Sequence, residues 1–162
     1  MRPAIIFVVD YEPVITETLV LILNNLENEF LAMGFTDASE AVAAVRGIHP
    51  DLVLLAAIMP GTERLEHALE MRDKCGCTVL LMSGQAATGE RLEQLERAGH
   101  VPFEIVAKPI YPTELIAKIR EAIDRPGART SRQKTLDSVF NNRVQGEPST
   151  LPNTDRRFRK HG

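Results

Sequence analysis

Cysteine is nearly absent from this chain: Cys75 and Cys77, two positions apart, are the only ones. A Cys-x-Cys pair with no further cysteine makes neither a disulfide framework nor a zinc site, so a reduced, cytoplasmic protein is the expectation. Long apolar runs are missing too. No stretch approaches the roughly 20 residues of a membrane-spanning helix, and the run Ala4–Val9 is short, ends in Asp10 and lacks a cleavage-site pattern. A soluble chain without signal peptide or membrane association is therefore expected. Clustered histidine is the third absence: His49, His67, His100 and His161 are scattered, and lone histidines read as surface groups rather than bases. With no metal-ligand set beside the cysteines, nothing assembles a catalytic group, and the chain does not read as an enzyme.

What is present fits one globular domain followed by a tail. Of 162 residues, 44% are apolar and 25% charged, enough for a real core with some surplus chain. The charge is divided. Residues 1–124 carry 10 Lys/Arg against 19 Asp/Glu, a net −9, while residues 125–162 carry 9 against 3, a net +6.

Ala4–Val9 is a continuous β-branched and aromatic run, the mark of a central parallel strand. Pro13 suits an early helical position, and Ile15, Leu19, Ile22 and Leu26 follow at helical spacing. Val14, Val20, Leu21 and Leu23 make that helix apolar beyond one stripe, which predicts deep burial or else a partner-binding face. Phe30–Met33 reads as an edge strand, and Asp37 with Glu40 three residues on predicts a capped helix over about 39–46, ended by Gly47 and Pro50. Asp51–Ala56 is an apolar strand buried on both faces that empties into the Pro60-Gly61 turn. A helix over about 63–74, a strand Thr78–Met82, a charged helix Thr88–Ala98, a strand Phe103–Ala107 and an amphipathic helix to about Asp124 complete the pattern. Alternation of strands and helices with short connections predicts a doubly wound α/β fold with a parallel sheet. After Arg125 the composition is that of a largely disordered tail, with at most a marginal helix around Ser131–Asn141 and few apolar residues beyond Leu136, Val139, Phe140 and Val144.

In an open α/β sheet, chemistry sits beyond the C-terminal ends of the strands. Those ends carry Asp10, Ala56, Ser83 and Lys108. The motifs Val8-Val9-Asp10-Tyr11-Glu12-Pro13, Asp51-Leu52-Val53-Leu54-Leu55-Ala56-Ala57-Ile58-Met59-Pro60-Gly61, Leu81-Met82-Ser83-Gly84 and Ala107-Lys108-Pro109-Ile110 resemble the receiver domain of two-component response regulators over residues 4–124. The resemblance implies a flavodoxin-like five-stranded sheet of order 2-1-3-4-5 with five helices. It also implies a site in which an Asp ending the third strand accepts a phosphoryl group from a histidine kinase. Acidic residues after the first strand help bind Mg²⁺, a Ser or Thr contacts the phosphoryl group, and a Lys before a proline, often in a cis bond, pairs with its charge. Asp10, Ser83 and Lys108 match three of these positions.

The departures decide the reading. Ala56 stands at the phosphoacceptor position, and a methyl group is neither nucleophile nor ligand. Tyr11 stands at the second acidic position, and a phenol is neutral near pH 7. Asp10 and Glu12 are left as the metal candidates, so Mg²⁺ binding is expected to be weak or absent. Asp51 lies roughly 16 Å along the strand from Ala56, at the wrong end, and Glu63 sits in the following loop without the fixed position that fast phosphoryl transfer needs. Lys108 then pairs with Asp10, and Pro109 suits a cis bond. Ser83 reads equally as a hydroxyl serving loop backbone. Ile105, three residues before Lys108, replaces the Tyr or Phe that changes rotamer on activation in the family, and it is stiff at χ1; Phe103 is nearby.

Two functions compete. One is a non-phosphorylatable single-domain regulator that binds a signalling protein, such as a histidine kinase or another regulator, through the face made by the fourth helix, fifth strand and fifth helix, with a homodimer also open. The other is association with nucleic acid through the basic tail cluster Arg156, Arg157, Arg159 and Lys160, although no reader module such as a helix-turn-helix is present. A solvated tail, or one folded over its own acidic body, is the plainer reading of the same charge.

Overall fold

The computed structural model describes residues 2–59, 65–84 and 87–125. The tail cluster, Glu63 and the Pro60-Gly61 turn named above lie outside them. β1 (Ala4–Val9), α1 (Pro13–Asn24), β2 (Phe30–Phe35), α2 (Ala38–Ile48), β3 (Leu52–Ala56), α3 (Glu66–Leu69, running into a π-helical turn Glu70–Lys74), β4 (Thr78–Ser83), α4 (Ala87–Arg97), β5 (Glu104–Ala107) and α5 (Pro112–Asp124) alternate along the chain. All strands are parallel, in the order β2-β1-β3-β4-β5. The flavodoxin-like arrangement expected from the motifs is the one present.

Side chains alternate across a strand, so a strand buried at every residue has both faces covered. β3 is such a strand: Leu52, Val53, Leu54, Leu55 and Ala56 are all buried. Each large side chain there contributes about 2 kcal/mol by leaving water. Ile6, Phe7, Val8 and Val9 of β1 are equally enclosed, and Phe7 meets Phe35 of β2 with ring centroids 4.7 Å apart.

Several local details differ from the sequence expectation. β2 runs two residues further, through Gly34 and Phe35. Gly34 is there because α1 presses on it: a Cβ at this position would lie 2.6 Å from Cγ2 of Thr16 and 3.2 Å from Cγ2 of Val20. α2 passes through Gly47 and ends where His49 takes the left-handed conformation, φ 56°, while Asp37 caps its start by accepting from the Ser39 N–H at 2.7 Å. Deep burial of α1 on all its apolar sides is corrected as well. Leu19 and Leu23 are buried, but Val14 is 74% and Leu21 63% exposed, because only one flank of the helix lies on the sheet.

β2 is an edge strand, yet its central rung is occupied. The Asn24 carboxamide accepts from the Ala32 N–H at 2.7 Å and donates to the Ala32 carbonyl at 3.2 Å. A side chain thus satisfies the Ala32 backbone groups, which an added strand would need at the centre of β2.

Candidate functional site

The parallel register brings Asp10 and Lys108, distant in sequence, to the C-terminal edge of the sheet beside Ala56 and Ser83. Asp10 directly follows β1 and is fully buried. Its Oδ1 accepts from the Glu12 backbone N–H at 3.0 Å, and its Oδ2 accepts from the Lys108 ammonium at 2.8 Å. A buried carboxylate requires such compensation, since an uncompensated one costs several kcal/mol. Lys108 is positioned by its own backbone, whose N–H donates to the Ser83 carbonyl at 2.8 Å, and the Lys108–Pro109 peptide is cis.

Thr16 also supports the site, and the sequence reading missed it. Buried in the first turns of α1, it donates its hydroxyl to the Asp10 carbonyl at 2.9 Å. A polar residue interrupting an otherwise apolar helix flank was the available signal. Glu12 contributes its backbone N–H, while the residue itself is exposed, as is Tyr11 at 43%.

Ala56 ends β3 at 3% exposure, and the next N–H, that of Ala57, donates to the Met82 carbonyl at 2.8 Å. A small cavity beneath it is lined by Ala38, Leu55, Ala57, Met59, Leu65 and His67. Most of this lining is aliphatic, and the buried Nδ1 of His67 has no hydrogen-bond partner among the described residues. Among the described residues no carboxylate or hydroxyl lines the cavity.

A divalent cation does not fit these residues. Oδ2 of Asp10 already holds an ammonium that a metal would have to displace, Ala56 offers a methyl group and Tyr11 a phenol. Among the described residues no three His, Cys, Asp or Glu side chains converge. Asp51 is engaged at the opposite edge, with Oδ2 accepting from the Ile5 N–H at 2.8 Å and both oxygens bound by Arg2.

Ile105 is half-buried in β5, and its carbonyl accepts from the Lys118 ammonium of α5 at 2.7 Å. Phe103 precedes the strand, buried beneath the Arg72 guanidinium, 3.9 Å from its ring centroid. Arg72 also donates to the Val101 carbonyl at 2.7 Å, which ties the π-helical turn to the approach to β5. Cys77 is buried next to β4, and burial pushes its thiol up to about 12, leaving little thiolate at neutral pH.

The arrangement resembles known proteins. A family model described as the response regulator receiver domain matches residues 6–120. The chain is 31% identical over 120 residues to the DNA-binding response regulator MtrA of Mycolicibacterium smegmatis, covering 74% of this chain and 50% of that protein. It is 31% identical over 112 residues to Protein PetR of Rhodobacter capsulatus, covering 68% and 46%. The chain thus spans about half the length of these curated relatives. Among solved structures, the signal receiver domain of an HD domain-containing protein from Pseudomonas fluorescens Pf-5 superposes with a TM-score of 0.68 at 22% identity, covering 82% of this chain and 94% of that one. No helix among the described residues is long and apolar enough to cross a membrane.

Proposed function

The chain belongs to the response regulator receiver domain family of two-component signalling, and from that premise we propose that it is a receiver that accepts no phosphoryl group and works as a protein-interaction module in the cytoplasm. One observation carries the proposal: the end of β3 holds the methyl group of Ala56, and the buried carboxylate at the end of the neighbouring β1, that of Asp10, is already paired with Lys108. Phosphoryl transfer needs a nucleophile and a metal ion to share the developing charge; Ala56 offers no nucleophile, and the Asp10 carboxylate is already taken by Lys108. The chain performs no chemistry of its own in this reading. Its partner is a signalling protein, a histidine kinase or another regulator, that reads the α4–β5–α5 face, where the stiff Ile105 replaces a rotating aromatic lever.

The test is incubation with a small phosphodonor and Mg²⁺. No acid-stable, hydroxylamine-labile label is expected on the wild-type chain, and robust labelling overturns the proposal. Ala56→Asp alone is expected to label inefficiently as well, because Tyr11 leaves the cation short of a ligand and Lys108 still occupies Asp10. Rapid Mg²⁺-dependent labelling of that variant would show the metal site to be intact.

A second reading draws on the tail. The basic cluster Arg156, Arg157, Arg159 and Lys160 has the composition of a phosphate-backbone contact, and one relative is named as DNA-binding. Replacing these four residues with Ala in the full chain is expected to lower salt-sensitive DNA binding in this reading, and unchanged binding removes it.

A further inference from the structure

We propose that the outward face of α1 is the docking face for this chain's own segment 132–144. The face is apolar where water meets it. Val14 and Leu21, seven residues apart and so on one helical stripe, are 74% and 63% exposed, and Tyr11 continues the stripe past the helix start at 43%. Thr18 lies between them, and its hydroxyl is already spent on the Val14 carbonyl at 2.6 Å, so it leaves no donor to be desolvated when the face is covered. Glu17 borders the stripe and is exposed.

The occupant follows from composition, charge and reach. Residues 132–144, which lie outside the described residues, place Leu136, Val139, Phe140 and Val144 at helical spacing, with Arg132 and Arg143 on the same stripe at its two ends. That is an apolar centre with basic ends, set against an apolar stripe with an acidic border, in a chain whose body carries −9 and whose end carries +6. The spans agree: Val14 to Leu21 covers about 10.5 Å of helix and Leu136 to Val144 about 12 Å. The described chain ends at the edge of the sheet from which the strands start, the edge at which α1 also ends. Arg120 of α5 grips Glu29, just beyond α1, through Nε at 2.5 Å and Nη2 at 2.8 Å, a pairing that holds the Glu29 carboxyl below its usual range. Arg125 is fixed to Glu104 at 2.9 Å. From there the connector 126–131 reaches up to roughly 20 Å, and a segment laid on α1 after it runs antiparallel to that helix.

The experiment uses the full chain and reads methyl and amide resonances. Leu136→Glu combined with Phe140→Glu is expected to shift the Val14 and Leu21 methyl signals and leave those of the core residues Leu54 and Ile119 in place. Reciprocally, Leu21→Glu, a change at a solvent-facing position, is expected to shift the amides of residues 136–144. Both effects persist on dilution of a monomer. Unmoved Val14 and Leu21 signals in the tail variant overturn the proposal. Shifts that vanish on dilution, together with a dimer mass, overturn it in favour of a second copy.

Discussion

Lys108→Ala is expected to lower the unfolding free energy by about 3 kcal/mol, the largest single effect at the strand ends. The sign follows from what remains. Asp10 is fully buried, and its carboxyl group would lose the Lys108 ammonium from Oδ2 and keep, among the described residues, the Glu12 N–H. The magnitude lies between two limits. Exposed pairs contribute about 0 to 1 kcal/mol, and truncating one member of a buried pair costs about 3 to 5 kcal/mol. Lys108 is 24% exposed, so some water reaches the vacated position and the lower end of the buried range applies. Replacing both residues, Asp10→Asn with Lys108→Met, is expected to recover most of the loss, since the amide still accepts from Glu12 and no charge is left buried. Urea unfolding of Lys108→Ala and of the double variant measures this. A loss under about 1 kcal/mol for Lys108→Ala would place the pair among ordinary surface contacts.

Gly34→Ala is expected to destabilise by about 1.5 kcal/mol, although alanine usually stabilises a strand relative to glycine. The backbone term favours alanine by up to about 1 kcal/mol. The steric term opposes it and is larger, about 1 to 3 kcal/mol for overpacking. The new Cβ would lie 2.6 Å from Cγ2 of Thr16, a contact that one of the two must relieve. Thr16 cannot turn away at little cost, because it is β-branched, buried, and held by its bond to the Asp10 carbonyl. The strain therefore reaches the residue that anchors Lys108. Thermal or urea unfolding checks the direction, and an unchanged or raised stability would mean that α1 shifts freely over β2.

The strands were legible because they are enclosed. β1 and β3 read as unbroken apolar runs since parallel strands are covered on both faces, and their ends are marked by Asp10 and Ala56. Helix starts were legible where Pro13 and Asp37 announce them. Ends were less so: Gly47 looks like a stop, but its position has open space and helical geometry, and His49 takes the left-handed turn instead. The π-helical turn Glu70–Lys74 has no composition of its own that announces it, and the hold of its Arg72 on Val101 and Phe103 joins residues far apart in the chain. Nor does periodicity show which flank of an apolar helix meets the sheet, which is why Val14 and Leu21 could be read either way. At the candidate site the identity of Ala56 is sequence itself, whereas the contribution of Thr16 depends on how α1 sits on β2.

The Asn24 carboxamide across the β2 edge has a consequence for how this protein can meet others. A sheet whose outer rung is filled by its own side chain does not readily accept a foreign strand, so association by sheet extension, which is slow to reverse and prone to run on into aggregates, is disfavoured on that side. On that side encounters fall to the surface of α1, where contacts form and release without breaking backbone ladders. For a molecule whose proposed work is to be bound and let go, that favours reversible meetings at this edge.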